Sequence, residues 1–209
     1  MVRNKIVPVD PQNPDPILIK DAADLLRSGG VVVFPTRCLY GLAVDALLPA
    51  AVDTIFRIKK RPASNPVLIL IPHSDFLKDL VLDIPETASR IMERFWPGQV
   101  TIVFQATKAV SPLLTAGTGK IGIRMPDHPV AAALVKTMNS PITGTSANLS
   151  SRESCAAVKE LDPSLAAEVD LILDAGQLMG GAGSTVVDVT VNPPVILRQG
   201  MLTNQSFVL

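Results

Sequence analysis

Val31-Val32-Val33-Phe34-Pro35-Thr36-Arg37-Cys38-Leu39-Tyr40-Gly41-Leu42-Ala43 is the stretch that decides the fold. Four consecutive apolar residues make the pattern of a strand buried on both faces. Pro35 cannot donate to a ladder, so the strand stops there. The residues after it then sit at the carboxyl end of a central strand, where open α/β sheets place ligands.

Working outward, the three prolines in residues 11–16 predict a loop. Leu18, Ala22, Leu25 and Leu26 recur at helical spacing from Ile17 to Ser28, and Gly29-Gly30 supplies the stop. On the other side, Ala50 to Lys59 reads as a helix with Val52, Ile55 and Phe56 on one face. Its last turn carries Arg57, Lys59 and Lys60, which suits the negative end of the helix dipole. Val67 to Ile71 is a second buried strand. A short helix capped by Ser74 runs to Leu80, and an amphipathic one runs from Glu86 to Phe95 until Pro97-Gly98 stops it. Strands are predicted at 100–105 and 120–124, a helix at 129–138, and a short strand opening into a polar loop at 141–148. A helix at 154–161 and strands at 171–174, 184–190 and 194–198 complete the chain. The hairpin-like last pair breaks a purely parallel pattern, so the expectation is one α/β domain over residues 1–209 with a mixed sheet, residues 1–14 forming a leading extension.

Composition narrows the function. Of 209 residues, 47% are hydrophobic and 18% charged, in keeping with a globular chain. Lys plus Arg equals Asp plus Glu at 19 each, so a general nucleic-acid coat is excluded and any polyanion contact must be local. Two cysteines far apart, Cys38 and Cys155, fit a reduced compartment. Two histidines and no CxxC or HxxxH spacing argue against a protein-built metal site. No stretch has signal-peptide or membrane-span character, so the expected location is cytoplasmic.

Against that neutral background, four of the five residues Arg57 to Arg61 are basic, ahead of the turn Pro62-Ala63-Ser64-Asn65-Pro66. This is either an anion-binding wall or a solvated helix end. Arg61, placed before proline, is held in extended backbone that aims its fork. Pro141-Ile142-Thr143-Gly144-Thr145-Ser146-Ala147-Asn148 supplies hydroxyls and backbone N–H groups suited to an anion, and it misses the GxSxG elbow because Asn148 stands where glycine is needed. Gly180 to Val186 and Gly117 to Lys120 match neither GxxxxGK[ST] nor GxGxxG. Arg124 and Arg198 each end a predicted strand. His128 precedes a proline-started helix, as a cap or a base. Trp96 reads as core.

These motifs together resemble the YrdC-like family, the threonylcarbamoyl-AMP synthases, over about residues 15–203. The resemblance rests on Pro35-Thr36 with Tyr40-Gly41-Leu42, and on Lys59-Lys60-Arg61-Pro62 with Asn65-Pro66. It extends through Trp96-Pro97-Gly98, Arg124-Met125-Pro126-Asp127-His128-Pro129, Thr145-Ser146-Ala147-Asn148, Ser184-Thr185-Val186 and Arg198-Gln199-Gly200. It implies a twisted mixed α/β sheet with flanking helices around a basic cleft, in the short single-domain form, since the chain ends just past Gly200.

The implied activity is that of a nucleotidyltransferase. It joins L-threonine, bicarbonate and ATP into threonylcarbamoyl-adenylate and pyrophosphate, for t6A modification of tRNA. Carried over by position, Lys59, Arg61, Asn65, Lys120, Ser146, Asn148, Ser154 and Arg198 would bind ATP, with Lys59 and Arg61 catalytic. Thr36, Cys38, Tyr40, Arg124, Thr145 and Ser184 would bind threonine. Magnesium would arrive on the phosphates, and partners would be a local tRNA contact and a t6A transferase. Cys38, Leu70 and Lys120 depart from the family pattern, where threonine, histidine and threonine occur. The rival reading is a non-catalytic relative that binds RNA or a nucleotide in the same cleft. Carbamoyl transfer, as in larger proteins embedding this domain, lacks its acylphosphatase-like and zinc-finger segments here.

Overall fold

The computed structural model describes residues 5–200. The apolar run after Val31 is a strand, Val32–Pro35, buried along its length. Val31 and Val33 belong to one core while Val32 and Phe34 belong to another, as a strand covered on both faces requires. After Pro35 the chain turns straight back, and Tyr40–Ala43 pairs antiparallel with the strand it has just left. Phe34 lies opposite Gly41, where an added Cβ would stand 2.8 Å from the phenyl ring.

In chain order the strands are β1 (Ile6–Pro8), β2 (Val32–Pro35), β3 (Tyr40–Ala43), β4 (Ile69–Leu70), β5 (Val100–Gln105), β6 (Lys120–Arg124), β7 (Ile142–Thr143), β8 (Thr145–Ser146), β9 (Leu171–Asp174), β10 (Thr185–Asp188) and β11 (Val195–Arg198). The helices are α1 (Pro16–Arg27), α2 (Pro49–Lys59), α3 (Leu77–Leu80), α4 (Glu86–Phe95), α5 (Pro112–Thr115), α6 (Pro129–Met138) and α7 (Pro163–Glu168). The strands form two mixed sheets, ordered β1-β9-β2-β3-β8 and β11-β10-β5-β6-β4-β7. Helices α1 and α6 pack together on β2 in the smaller core, and the larger core is shared by both sheets and α2.

The mixed α/β character is as the sequence leads one to expect, with β10 and β11 antiparallel neighbours. The division into two sheets is new. It comes from Gly144, which lies between β7 and β8 and lets consecutive dipeptides join different sheets. A Cβ there would meet Leu68 Cδ1 at 2.6 Å and Leu70 Cγ at 2.9 Å.

Other differences have local causes. The helix expected at 154–161 is only a 3-10 turn, Val158–Glu160. Glu160 Oε2 accepts the backbone N–H groups of Ala156 and Ala157, and Asp162 before Pro163 cannot continue a helix. Asp162 caps α7 instead. The leading extension contains β1, which pairs parallel with β9. The strand expected over 67–71 is regular only at Ile69–Leu70. Among the described residues, no helix is long and apolar enough to cross a membrane.

Candidate active site

The last residue of α2 is Lys59, and its chain direction is fixed by Lys60, which adopts a left-handed backbone with φ 49°. That turn closes with Arg61 N–H donating to Phe56 O at 2.9 Å. Lys59 and Arg61 therefore leave the helix end in different directions. Lys59 is buried, and its Nζ donates to the Ser146 carbonyl, to Asn148 O at 2.6 Å and to Asn148 Oδ1 at 3.2 Å. Ser146 Oγ donates to the same Oδ1 at 2.5 Å, and Asn148 Nδ2 donates to Arg152 O. Arg61 is braced by its own loop, with Nε on Asn65 O at 3.1 Å and one terminal nitrogen on Pro66 O at 2.7 Å.

Opposite this wall stand the ends of β6, β10 and β11. Arg198 donates to Ser184 O at 2.9 Å and to Ser184 Oγ at 3.1 Å, and that hydroxyl shares a 2.7 Å hydrogen bond with Thr101. Gly200 lets this hairpin close: a Cβ on it would fall 2.4 Å from Gly183 O and Thr185 N. Between the walls lies a cavity of about 670 Å³, lined from both sheets. That is the size range of small-molecule sites. A smaller cavity of about 300 Å³, beside Asp83 and Asn192, has no cation in its lining.

The cleft is electrostatically incomplete. Burial, and then the nearby Arg198, holds the Arg61 guanidinium below its ordinary value, and burial does the same to Arg198. Burial pushes Arg124 down to about 10 although Asp127 pulls the other way, so it remains a cation at neutral pH. Arg124 Nε is buried with no hydrogen-bond partner. Asp127 itself is bonded to Arg37. Among the described residues lining the cleft, Asp188 is the one carboxylate, and it is tied to Lys120 at 2.9 Å. Three converging guanidiniums without a matching carboxylate form a site for an anion.

Ten of the fourteen residues assigned from sequence line this cavity. The other four are Lys59, Asn148, Cys38 and Asn65. Lys59 and Asn148 stand behind Ser146 and position it. Cys38 is buried with its Sγ 3.6 Å from Gln99 Nε2, and burial pushes its thiol up. Asn65 is exposed; its carbonyl accepts from Arg61 and its backbone N–H donates to Pro62 O at 3.0 Å. Thr36 lines the cavity with its hydroxyl donated to Leu39 O. The Tyr40 hydroxyl is turned inward, donating to Gly176 O at 2.8 Å and accepting from Ala175 N–H at 3.0 Å, and burial pushes its pKa up. His128 is the cap of α6, its Nδ1 accepting from Val130 N–H. Sequence reasoning missed Asp188 and the apolar wall of Val103, Val186 and Leu197. The alternation Ser184, Val186, Asp188 on one strand face was the available signal.

The Sua5/YciO/YrdC family model, described as telomere recombination, matches residues 24–200. The chain belongs to this family. Within it, the chain is 39% identical over 184 residues to the threonylcarbamoyl-AMP synthase of Pyrococcus abyssi, covering 88% of this chain and 54% of that protein. The chain thus spans about half the length of this synthase and of the synthases of Bacillus subtilis and Schizosaccharomyces pombe that it also matches. The crystal structure of P. abyssi Sua5 complexed with L-threonine superposes with a TM-score of 0.87 at 37% identity, over 93% of this chain and 57% of that one. Another family member, Escherichia coli YciO, superposes with a TM-score of 0.87 at 30% identity over 97% and 98% of the two chains.

Proposed function

We propose that the chain is an L-threonylcarbamoyladenylate synthase, a nucleotidyltransferase that consumes L-threonine, bicarbonate and ATP. The observation that carries this reading is Arg124, a buried guanidinium with an unpartnered Nε, facing a cleft where Arg61 and Arg198 also converge. Two anions are needed to balance such a site. The threonine carboxylate meets Arg124 beside Ser184, and the triphosphate meets Arg61, Arg198 and the Ser146 loop. At an effective dielectric of about 20 each close charge pair gains about 4 kcal/mol before desolvation.

The threonine amine attacks bicarbonate and water leaves, giving a carbamate. One carbamate oxygen then forms a bond to the α-phosphorus as the bond from that phosphorus to the bridging oxygen breaks, and pyrophosphate departs. The attacking oxygen is already anionic, so this second step needs no strong general base. Catalysis is positioning of two mutually repelling anions plus stabilisation of charge on the leaving phosphates, tasks suited to Arg61 and Arg198, with Lys59 acting through the Ser146 loop that it holds. Magnesium would arrive on the phosphates, as a hard cation that keeps most of its waters and takes phosphate oxygens. The product supports t6A formation on tRNA through a transferase partner.

The test is pyrophosphate release by the purified chain, with mass-spectrometric detection of threonylcarbamoyl-adenylate. Release must require both threonine and bicarbonate; release independent of either one sinks the synthase. A second reading, a nucleotide- or RNA-binding protein without this activity, is favoured by one observation: the chain matches YciO, named as an uncharacterised protein, over 94% of that protein's length. Salt-dependent tRNA binding without adenylate formation would decide for it.

A further inference from the structure

The smaller cavity, of about 300 Å³, has no part in the reaction above. Successive residues of a strand point to opposite faces of its sheet. On β5, Val103 lines the larger cleft and Phe104 the smaller cavity; on β10, Asp188 lines the cleft and Val189 the cavity. The two therefore open on opposite faces of the six-stranded sheet, and they share no lining residue.

Three segments build the cavity around the end of β5. On one side Val81 bridges Ala106, and Leu82 N–H donates to Gln105 O at 2.9 Å. From there the chain passes Asp83 and Pro85 into the first turn of α4, where Thr87 stands. On the other side Val189 N–H donates to Val103 O at 3.2 Å, and Val191 and Asn192 follow. Segments on the two sides of one strand lie about 9–10 Å apart, a span that one small ligand bridges.

The lining offers hydrogen bonds that the protein does not use. Among the described residues, the side chains of Asp83, Thr87, Gln105 and Asn192 line the cavity without a hydrogen-bond or ion-pair partner in the chain. Thr190 is already committed, its N–H and hydroxyl donating to Asp188 Oδ1 at 2.9 and 2.6 Å. Phe104 and Val189, both buried, make an apolar floor. A phosphate or carboxylate ligand would meet Asp83 with no cation to balance it. An ammonium would satisfy Asp83 but accept nothing from the two carboxamides. A hydroxyl both donates and accepts, as a carboxamide does. Two adjacent hydroxyls give a proton to Asp83 and accept from Asn192 or Gln105, while the C–H face of their ring rests on the floor.

We propose that this cavity is a second ligand site, taking the cis-diol of a neutral sugar, either free or as the ribose of a nucleoside. It does not depend on the function proposed above. Ile84 and Val191, large and exposed beside Asp83 and Asn192, give a base an apolar surface on which to lie.

The experiment titrates adenosine, 2′-deoxyadenosine and D-ribose into the nitrogen-15-labelled chain and follows the side-chain amide signals of Gln105 and Asn192 by NMR. Adenosine is expected to shift both signals saturably, with 2′-deoxyadenosine at least tenfold weaker, because it lacks one hydroxyl of the diol. Matching shifts with D-ribose assign the sugar alone as sufficient; shifts with adenosine only assign the nucleoside. Asp83→Ala, at an exposed position and checked for folding by thermal melting, is expected to weaken adenosine at these signals at least tenfold. Arg61→Ala, in the larger cleft, is expected to leave them as they are. Equal affinity for 2′-deoxyadenosine, or an unchanged response in folded Asp83→Ala, overturns the proposal. So do shifts confined to residues of the larger cleft, and the absence of any shift up to the solubility of the three ligands.

Discussion

Lys59 is an ammonium held by three oxygens in a place that burial makes costly for charge. Burial, aided by the like charge of Arg61, pushes its pKa down to about 7, against an ordinary value of 10.5. Between those two values the unfolded chain holds more protons than the folded one, so this group's contribution to stability rises with pH and is least favourable below about 7. Nucleotide binding works in the opposite sense, because phosphates favour the ammonium. Titrations of ATP at pH 8 in buffers of different ionisation heat should therefore reveal proton uptake. Affinity should fall as pH rises above about 7, by up to about tenfold per unit. A chain in which Lys59→Met shows the same uptake would remove Lys59 from the site. Arg61 is a separate case, since its own hydrogen bonds go only to carbonyls of its loop. Arg61→Ala loses charge-assisted contacts worth about 1.5–3 kcal/mol each, so adenylate formation at subsaturating ATP should fall at least tenfold with little change in melting temperature. Unchanged turnover at both low and saturating ATP would refute its role.

At the scale of elements, the turn after α2 explains why the basic cluster is a site and not a solvated helix end. Lys60 takes a left-handed conformation that ordinary residues avoid, and this separates Lys59, buried behind the Ser146 loop, from Arg61, facing the cleft. Its side chain is exposed, so the conformation alone is what position 60 must supply. Lys60→Gly should stabilise the chain by up to about 1 kcal/mol in urea unfolding, whereas Lys60→Val should destabilise it by more than that, because β-branching resists positive φ. Equal midpoints for the two variants would show that the turn carries no strain. The sequence makes this cluster legible as charge but not as geometry, since no residue type announces a left-handed lysine. The central strand was legible because Val31 to Phe34 is apolar on both faces and Pro35 is a hard stop. Strand β3 was not: Tyr40-Gly41-Leu42-Ala43 carries no alternation, because both of its faces are buried too. The expected helix at 154–161 failed for a different reason, as one carboxylate, Glu160, captured two backbone donors and curled the segment into a turn. The motif residues that share a strand end, Arg124, Ser184 and Arg198, were legible singly. Their convergence depends on β10 lying between β5 and β11, which is long-range information.

At the scale of the molecule, the cleft has two walls that belong to different sheets. The five-stranded sheet brings Tyr40, Gly41, Thr145 and Ser146; the six-stranded sheet brings Lys120, Arg124 and Arg198. The relative position of the sheets therefore sets the width available to an anion. Gly144 is one tie between them, its N–H donating to Leu68 O at 2.9 Å while β7 and β8 depart to either side, and Thr143 is another, its hydroxyl donating to Leu42 O of β3 at 3.2 Å. A side chain there strikes Leu68 Cδ1, a flexible end, but also Leu70 Cγ, in a residue with no exposed surface. Gly144→Val should then cost about 1–3 kcal/mol by overpacking, read from the urea midpoint. Where the strain is relieved by moving Ser146 relative to Arg124, ATP affinity should drop by more than the loss of folded fraction accounts for. Gly144→Ala should show a smaller loss in the same proportion. If stability fell while the folded protein bound ATP normally, the two walls would be positioned independently of this crossing, and the width of the cleft would have to be set elsewhere in the two sheets.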